Sequence, residues 1–152
     1  MEFLAGIHLK IVHFPIAFLS MYPLIELLYF VTRNEFYNKS AFLFLLIGVI
    51  GAILAVLSGN QAYSLVSEWN PKSLEIFNAH QTYANISIWY FTILLVLRFY
   101  LHVKKKLNRY LLVVILILSI LGSYFVYQTG LYGGKLADEN VLKTNLSYEN
   151  KK

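Results

Sequence analysis

The stretch YLLVVILILSILGSYFVYQTGL, residues 110–131, contains no charged side chain. A hydrocarbon core about 30 Å thick needs about 20 apolar residues of helix to cross it, so this stretch predicts a transmembrane helix. Three further apolar runs precede it along the chain: Val12–Val31, Ala41–Leu57 and Ile86–Leu101. The hydrophobic fraction, 58%, exceeds the roughly 50% typical of soluble domains. The chain is therefore predicted to lie in a membrane.

Helices are the predicted conformation of these runs, because backbone polar groups in lipid must be paired within the segment and strand-like alternation is absent. Asn70 is a suitable N-cap and Pro71 suits a first helical position. The fold class predicted is all-α, an integral membrane four-helix up-and-down bundle over residues 1–134. Its helices are predicted at about 3–32, 40–68, 71–103 and 107–132.

The last segment, residues 135–152, is polar and rich in Lys, Asn and Glu. It has too little apolar surface to fold by itself. We expect either a short, loosely ordered extension or a segment that docks on a partner. At the other terminus Met1-Glu2 opens without a basic leader or a small-residue cleavage motif, so no cleaved signal peptide is expected.

Basic residues are concentrated at one end of the predicted bundle: Arg33, Lys39, Arg98, Lys104, Lys105, Lys106 and Arg109. The other end has Lys10, Lys72 and Lys135 near helix ends. The positive-inside rule then places both termini outside the cytoplasm. Topology explains the net charge of +5, and a nucleic-acid partner is not needed.

Cysteine is absent, which excludes disulfides, thiolate metal sites and covalent c-type haem, so any metal chemistry must use histidine. Counting along the helices places His13 and His80 at similar depth near the extracytoplasmic surface. Their helices are expected to be diagonal neighbours, so the two imidazoles are predicted to face each other and to bind the iron of a haem b.

The other two histidines have different expected roles. His8 precedes His13 by five positions, about 140° round a helix, so the two do not share a face. His8 can hydrogen-bond a haem propionate or replace an axial ligand, and Lys10 or Lys72 can meet a propionate. His102 is predicted to be an interfacial residue at the cytoplasmic end.

Small residues form a stripe along the second helix: Gly48, Gly51, Ala52, Ala55, Ser58 and Gly59. Such stripes usually allow close helix contact, and the alternative is room for a flat porphyrin. Polar residues gather toward the extracytoplasmic end, including Asn60, Gln61, Gln81, Asn85 and Gln128; these are either functional or ordinary interfacial residues. The candidate cofactor-binding set is His8, His13, Gly51, Ala55, Gly59, His80 and Gln128.

Two charges lie inside apolar stretches at comparable depth, Glu26 on the first helix and Arg98 on the third. A buried or interfacial ion pair between them is the favoured interpretation, and a proton relay is the alternative. Pro15 and Pro23 are expected to bend or loosen the first helix.

Three stretches resemble the bacterial membrane family called domain of unknown function 2231. HLKIVHFPIAF, residues 8–18, resembles its opening motif H-P-x-x-V-H-F-P-I-A-L. SGNQA, residues 58–62, is similar to its T-G motif, and TGLYGGKL, residues 129–136, to its closing T-G-x-x-G-G-x-L.

Two departures stand out: Leu9 replaces the proline after the first histidine, and the His-Gly pair that often follows the last glycines is missing. The resemblance implies a four-helix membrane domain, in some members joined to Rieske-type or cytochrome-like partners.

Two functions are consistent with these features. The first is a b-type haem protein or subunit of the bacterial cytoplasmic membrane that passes electrons between a quinol or other membrane donor and an extracytoplasmic redox partner. The second is a cofactor-free accessory or scaffold subunit of a larger membrane complex. A transporter and a hydrolytic enzyme are weaker alternatives, since no inverted repeat, zinc signature or nucleophile elbow is evident.

Overall fold

The computed structural model describes the backbone of residues 3–64 and 69–149, and the side chains of residues 7–64 and 69–138. The described helices are α1 (Phe3–Ile11), α2 (His13–Thr32), α3 (Glu35–Ser64), α4 (Pro71–Val103) and α5 (Arg109–Glu149). Within this part of the chain there is no strand, which confirms the all-α prediction. Four segments are long and apolar enough to span a membrane: Ile7–Thr32, Glu35–Ser64, Pro71–Val103 and Arg109–Asp138.

The first span contains a break at Val12, where one helix over 3–32 was expected. Pro15 has no N–H, so the carbonyl of Ile11 loses its usual donor and the proline ring crowds the preceding turn. The chain stays close to helical, because Val12 keeps αR dihedrals and its N–H donates to the His8 carbonyl at 3.1 Å. The first span is therefore a short α1 followed in nearly the same direction by α2. Pro23 lies inside α2 without interrupting it.

Helix boundaries elsewhere follow side-chain capping. Asn70 Oδ1 accepts from the Ser73 N–H at 2.9 Å, directly before Pro71, so the predicted start of α4 is confirmed. Asn34 Oδ1 accepts from the Phe36 N–H at 2.9 Å. This contact starts α3 at Glu35, earlier than the expected position near 40, and its predicted last residues 65–68 lie outside the described residues.

Helix α5 continues beyond its predicted end near residue 132, as far as Glu149. No proline follows Gly134, and the next residues, Lys135 to Glu139, are compatible with helix. A glycine in a helix costs about 1 kcal/mol relative to alanine. The Gly133-Gly134 pair therefore weakens the helix without ending it.

The spans form a closed up-and-down bundle. Helix α2 packs on α3, α3 on α4, α4 on α5 and α5 on α2, while α1 packs on α3. Consequently α2 and α4 are diagonal partners, as predicted. Each span contributes a core side chain that is at most 1% exposed, namely Leu19, Leu45, Phe91 and Ile115. Large apolar side chains such as Trp89, Ile93 and Val96 are exposed, as expected of faces that contact lipid.

Candidate functional site: a diagonal histidine pair

His8 of α1 and His80 of α4 lie at the same end of the bundle, which we call the histidine end. Both rings are half-buried. Their spans are diagonal partners, so the two rings lie on opposite sides of the bundle interior. Each ring is fixed by a neighbouring helix, and these contacts define its protonation.

His80 is oriented by α5. Its Nδ1 lies 2.9 Å from the backbone carbonyl oxygen of Thr129. Because a carbonyl only accepts, Nδ1 carries the proton and Nε2 keeps its lone pair. One turn later, a Cβ added at Gly133 would lie 3.2 Å from Cε1 of His80, so a glycine there lets α5 pack closely on the ring.

His8 is oriented by α3. Its Nδ1 lies 2.8 Å from Oγ of Ser58, and the Ser58 hydroxyl donates its proton to the Ala55 carbonyl at 3.0 Å. Ser58 must therefore accept from Nδ1 of His8, which again leaves the lone pair on Nε2. A Cβ added at Gly59 would lie only 3.0 Å from Cε1 of His8, so this glycine also makes room for a ring.

The two imidazoles thus share one arrangement, with Nδ1–H donated to a fixed acceptor and Nε2 available. This is how metal-ligating histidines are commonly held, since the hydrogen bond of one nitrogen sets the tautomer of the other. Across the described residues no group of three or more His, Asp or Glu side chains could hold a metal ion. Two imidazoles fall short of a tetrahedral protein site, but they are the complete axial set of a haem iron.

His13 is not part of this pair, contrary to the sequence-based expectation that it faces His80. Its side chain is exposed, whereas the buried stripe of α2 contains Pro15, Leu19 and Glu26. His8 precedes Pro15 by seven residues, about two turns, so it continues this stripe toward the N-terminus. His13 lies about 7.5 Å further along the span than His8 and on a different face.

The small residues of α3 serve mainly close helix contact. A Cβ at Gly51 would lie 3.1 Å from Cδ of Pro15, and one at Gly48 would lie 2.7 Å from Cγ of Leu19. Side chains of α2 therefore fill the space beside Gly48 and Gly51, where a porphyrin was the alternative interpretation. Toward the histidine end the stripe reaches Ala55, whose carbonyl accepts from Ser58.

Two further predicted residues lie away from the pair. Gln128 donates from Nε2 to the Tyr124 hydroxyl on its own helix, at 3.1 Å and in an exposed position. His102 is exposed and stacks on Phe42 at the opposite end, with ring centroids 6.0 Å apart, in agreement with its interfacial interpretation.

The residue that sequence reasoning missed is Thr129. Its carbonyl accepts from His80, and its hydroxyl donates to the Phe125 carbonyl and lies 3.3 Å from Oγ of Ser87. A signal was present in the motifs, since Ser58-Gly59 and Thr129-Gly130 each open one of the quoted stretches. The structure brings these two motifs and His8, the first histidine of the opening motif, to one end of the bundle.

A second polar cluster is buried nearer the opposite end. Arg98 and Glu26, both 0% exposed, form an ion pair with NH2 and Oε1 3.4 Å apart, which confirms the predicted pair. NH2 of Arg98 also donates to Asn38 Oδ1 at 2.8 Å. His8 precedes Glu26 by the same interval as His80 precedes Arg98, about five turns or 27 Å. The two diagonal contacts therefore share the interior face.

Four apolar spans closed around buried polar contacts define an integral, multi-pass membrane protein. The chain belongs to the family described as predicted membrane protein (DUF2231), whose profile matches residues 5–145. This span includes both histidines of the pair and the residues that orient them. Comparisons with curated proteins and with solved structures each gave no match.

Proposed function

We propose that this protein is a membrane b-type haem protein or haem-carrying subunit, in which His8 and His80 would hold the haem. The observation that supports the proposal is the matched state of the two rings, each with Nδ1–H engaged and Nε2 carrying its lone pair. His8 therefore takes the place that the sequence analysis assigned to His13 as the partner of His80.

The chain's own residues account for preorganisation of the site. Ser58 and Thr129 hold the rings through hydrogen bonds, so little side-chain freedom remains to be lost on binding. Gly59 and Gly133 let α3 and α5 lie against the rings. A haem iron with two imidazole ligands supplies one-electron transfer, and the apolar bundle around it tunes the potential.

The proposed topology indicates on which side of the membrane the site lies. Outside the C-terminal tail, most of the basic residues lie in or beside the turns at residues 33–34 and 104–108, so the positive-inside rule assigns that end to the cytoplasm of a bacterial inner membrane. The histidine end then lies near the extracytoplasmic surface. A quinol or another membrane donor would supply electrons from the lipid, and an extracytoplasmic redox protein would accept them.

The test is a reduced-minus-oxidised absorption spectrum of the full-length protein purified with its native lipids. Low-spin bis-histidine bands are expected from wild type and His13→Ala, and their loss is expected in His8→Ala and His80→Ala. His13→Ala is the matched control, since it removes an imidazole from the exposed face of the same span. Absence of bands in wild type, with or without added haem, contradicts the proposal. Loss of bands in His13→Ala but not in His8→Ala would instead support the sequence-based pairing of His13 with His80.

A cofactor-free accessory or scaffold subunit is the second candidate. It is favoured by the fact that each histidine already joins two helices, His8 joining α1 to α3 and His80 joining α4 to α5. In that case no variant has haem bands, and His8→Ala and His80→Ala reduce thermal stability while His13→Ala does not. The same four proteins therefore distinguish the two functions.

A further inference from the structure

Two arginines converge on one aromatic ring at the end of the bundle opposite the histidines. Cζ of Arg33 lies 5.7 Å from the ring centroid of Phe30, and Cζ of Arg109 lies 5.6 Å from the same centroid. Arg33 ends α2 and Arg109 begins α5, two helices that are neighbours in the bundle. Folding thus gathers two guanidinium groups from distant parts of the chain.

Neither arginine of this pair is matched by a contacting carboxylate among the described side chains. Among these side chains, Arg98 forms an ion pair with Glu26, whereas Arg33 and Arg109 form none. The nearby acid Glu35 instead accepts from Asn38 Nδ2 at 2.9 Å. A cation–π contact stabilises an exposed cation by about 0.5–1 kcal/mol, but it does not neutralise the charge. The two guanidinium groups therefore attract an anion.

The backbone helps to fix the position of Arg33. It occupies the left-handed region with φ 56°, and its N–H donates to the Tyr29 carbonyl, so it closes α2 as a C-cap. Arg109 is fixed at the start of α5, where Asn108 Oδ1 accepts from the Leu111 N–H at 2.9 Å. Both backbones are anchored, and both side chains are exposed.

The apolar neighbours indicate what kind of anion fits. Val31 is 70% exposed and Tyr110 is 84% exposed, and each lies near one of the arginines at the end of a spanning helix. An anion bound there meets apolar helix surface on one side and water on the other. Guanidinium groups form paired hydrogen bonds with phosphate oxygens, and a phospholipid places its phosphate at this depth with acyl chains along the helices.

We propose that Arg33 and Arg109, with Phe30 as their platform, bind the phosphate of an anionic phospholipid in the leaflet at this end of the bundle. An anionic lipid is favoured over a zwitterionic one because neither guanidinium group of the site forms an ion pair among the described side chains. The proposal is independent of the haem assignment.

Native mass spectrometry of the full-length protein, titrated with dioleoylphosphatidylglycerol or dioleoylphosphatidylcholine, tests the site. Wild type is expected to retain one phosphatidylglycerol more tightly than phosphatidylcholine. The variant Arg33→Gln/Arg109→Gln should weaken that binding by about tenfold or more, because two charge-assisted contacts are lost. Lys105→Gln/Lys106→Gln is the matched control, with the same change in net charge in the same region, and should bind nearly as wild type.

Two additional measurements make the result specific. Phe30→Leu leaves both charges in place and should weaken binding, which keeps the proposal testable if the double arginine variant does not fold. Millimolar inorganic phosphate should leave lipid binding unchanged. Equal loss in the arginine and lysine variants, no preference for phosphatidylglycerol, or displacement by inorganic phosphate would each overturn the proposal.

Discussion

A single hydroxyl group, that of Ser58, orients the His8 ring. Ser58 is fully buried and accepts from His8, and removal of an outer-shell partner typically lowers metal affinity by about 10- to 100-fold. If the protein holds haem as proposed, Ser58→Ala is therefore expected to weaken haem retention by about that factor and to shift the midpoint potential, as measured by haem titration and redox potentiometry.

The chain provides a close control for this substitution. Ser119 is also 0% exposed, and its hydroxyl donates to the Leu116 carbonyl at 2.8 Å, three residues back as in the Ser58–Ala55 bond. Ser119→Ala should leave haem retention unchanged. Equal effects of the two substitutions would mean that Ser58 stabilises the fold without orienting His8.

The buried ion pair makes a second prediction at this scale. Removing one partner of a buried pair leaves an uncompensated charge and typically costs about 3–5 kcal/mol. Arg98→Leu should therefore destabilise the protein strongly in bicelles, whereas Glu26→Leu/Arg98→Leu should recover most of the loss. The measurement is the free energy of unfolding by denaturant, and a double variant less stable than Arg98→Leu would contradict the argument.

Sequence reasoning was partly successful at the residue scale. The Glu26–Arg98 pair was predictable because a charge in an apolar span has few alternatives to pairing with an opposite charge at the same depth. The histidine pair was only half predictable, since depth does not determine which face of a helix a residue occupies. The buried stripe through Pro15 and Leu19, extended back by seven residues, would have favoured His8 over His13.

At the level of the helices, α4 and α5 are in close contact at Gly122. A Cβ there would lie 2.6 Å from Cζ of Phe91 and 2.9 Å from Cε1 of Tyr90, so the two helices would have to separate or the rings would have to move. Gly122→Ala is expected to destabilise the bundle by about 1–3 kcal/mol.

Gly134 on the same helix offers the matched comparison. A Cβ there meets no atom within 4 Å, and alanine is favoured over glycine in a helix by about 1 kcal/mol. Gly134→Ala should therefore be neutral or stabilising. Thermal unfolding of the two variants and the wild type is the measurement. Equal destabilisation by the two substitutions would show that contact with Phe91 is not the cause.

The number and approximate location of the helices were predictable, because crossing lipid requires a local run of apolar residues that is visible in the sequence. Their details were less so. The break at Val12 depends on the hydrogen bond lost to Pro15, and the continuation of α5 depends on a glycine pair that weakens a helix without stopping it. Capping side chains such as Asn34 and Asn70 set the other ends, and Asn70 was recognisable in advance because proline follows it.

The whole molecule has an asymmetric charge distribution that predicts its orientation. The sequence contains no cysteine, so a single introduced thiol reports one position. In intact bacterial cells, Glu75→Cys at the histidine end should react with a membrane-impermeant maleimide. Lys105→Cys in the opposite turn should react only after permeabilisation. The reverse pattern would invert the proposed topology and place the histidine pair at the cytoplasmic surface.

The Glu26–Arg98 contact also has a consequence for biogenesis. A charge within a span opposes translocon-mediated insertion, by about 2.5–3.5 kcal/mol for Arg at the centre and by less nearer an end, and the partners are separated by the whole of α3 along the nascent chain. We expect the first span to remain near the insertion machinery until the third is synthesised. Nascent chains arrested before Arg98 should crosslink to the translocon through the first span, and chains extended through α4 should release it, so commitment to the lipid is a late event of translation.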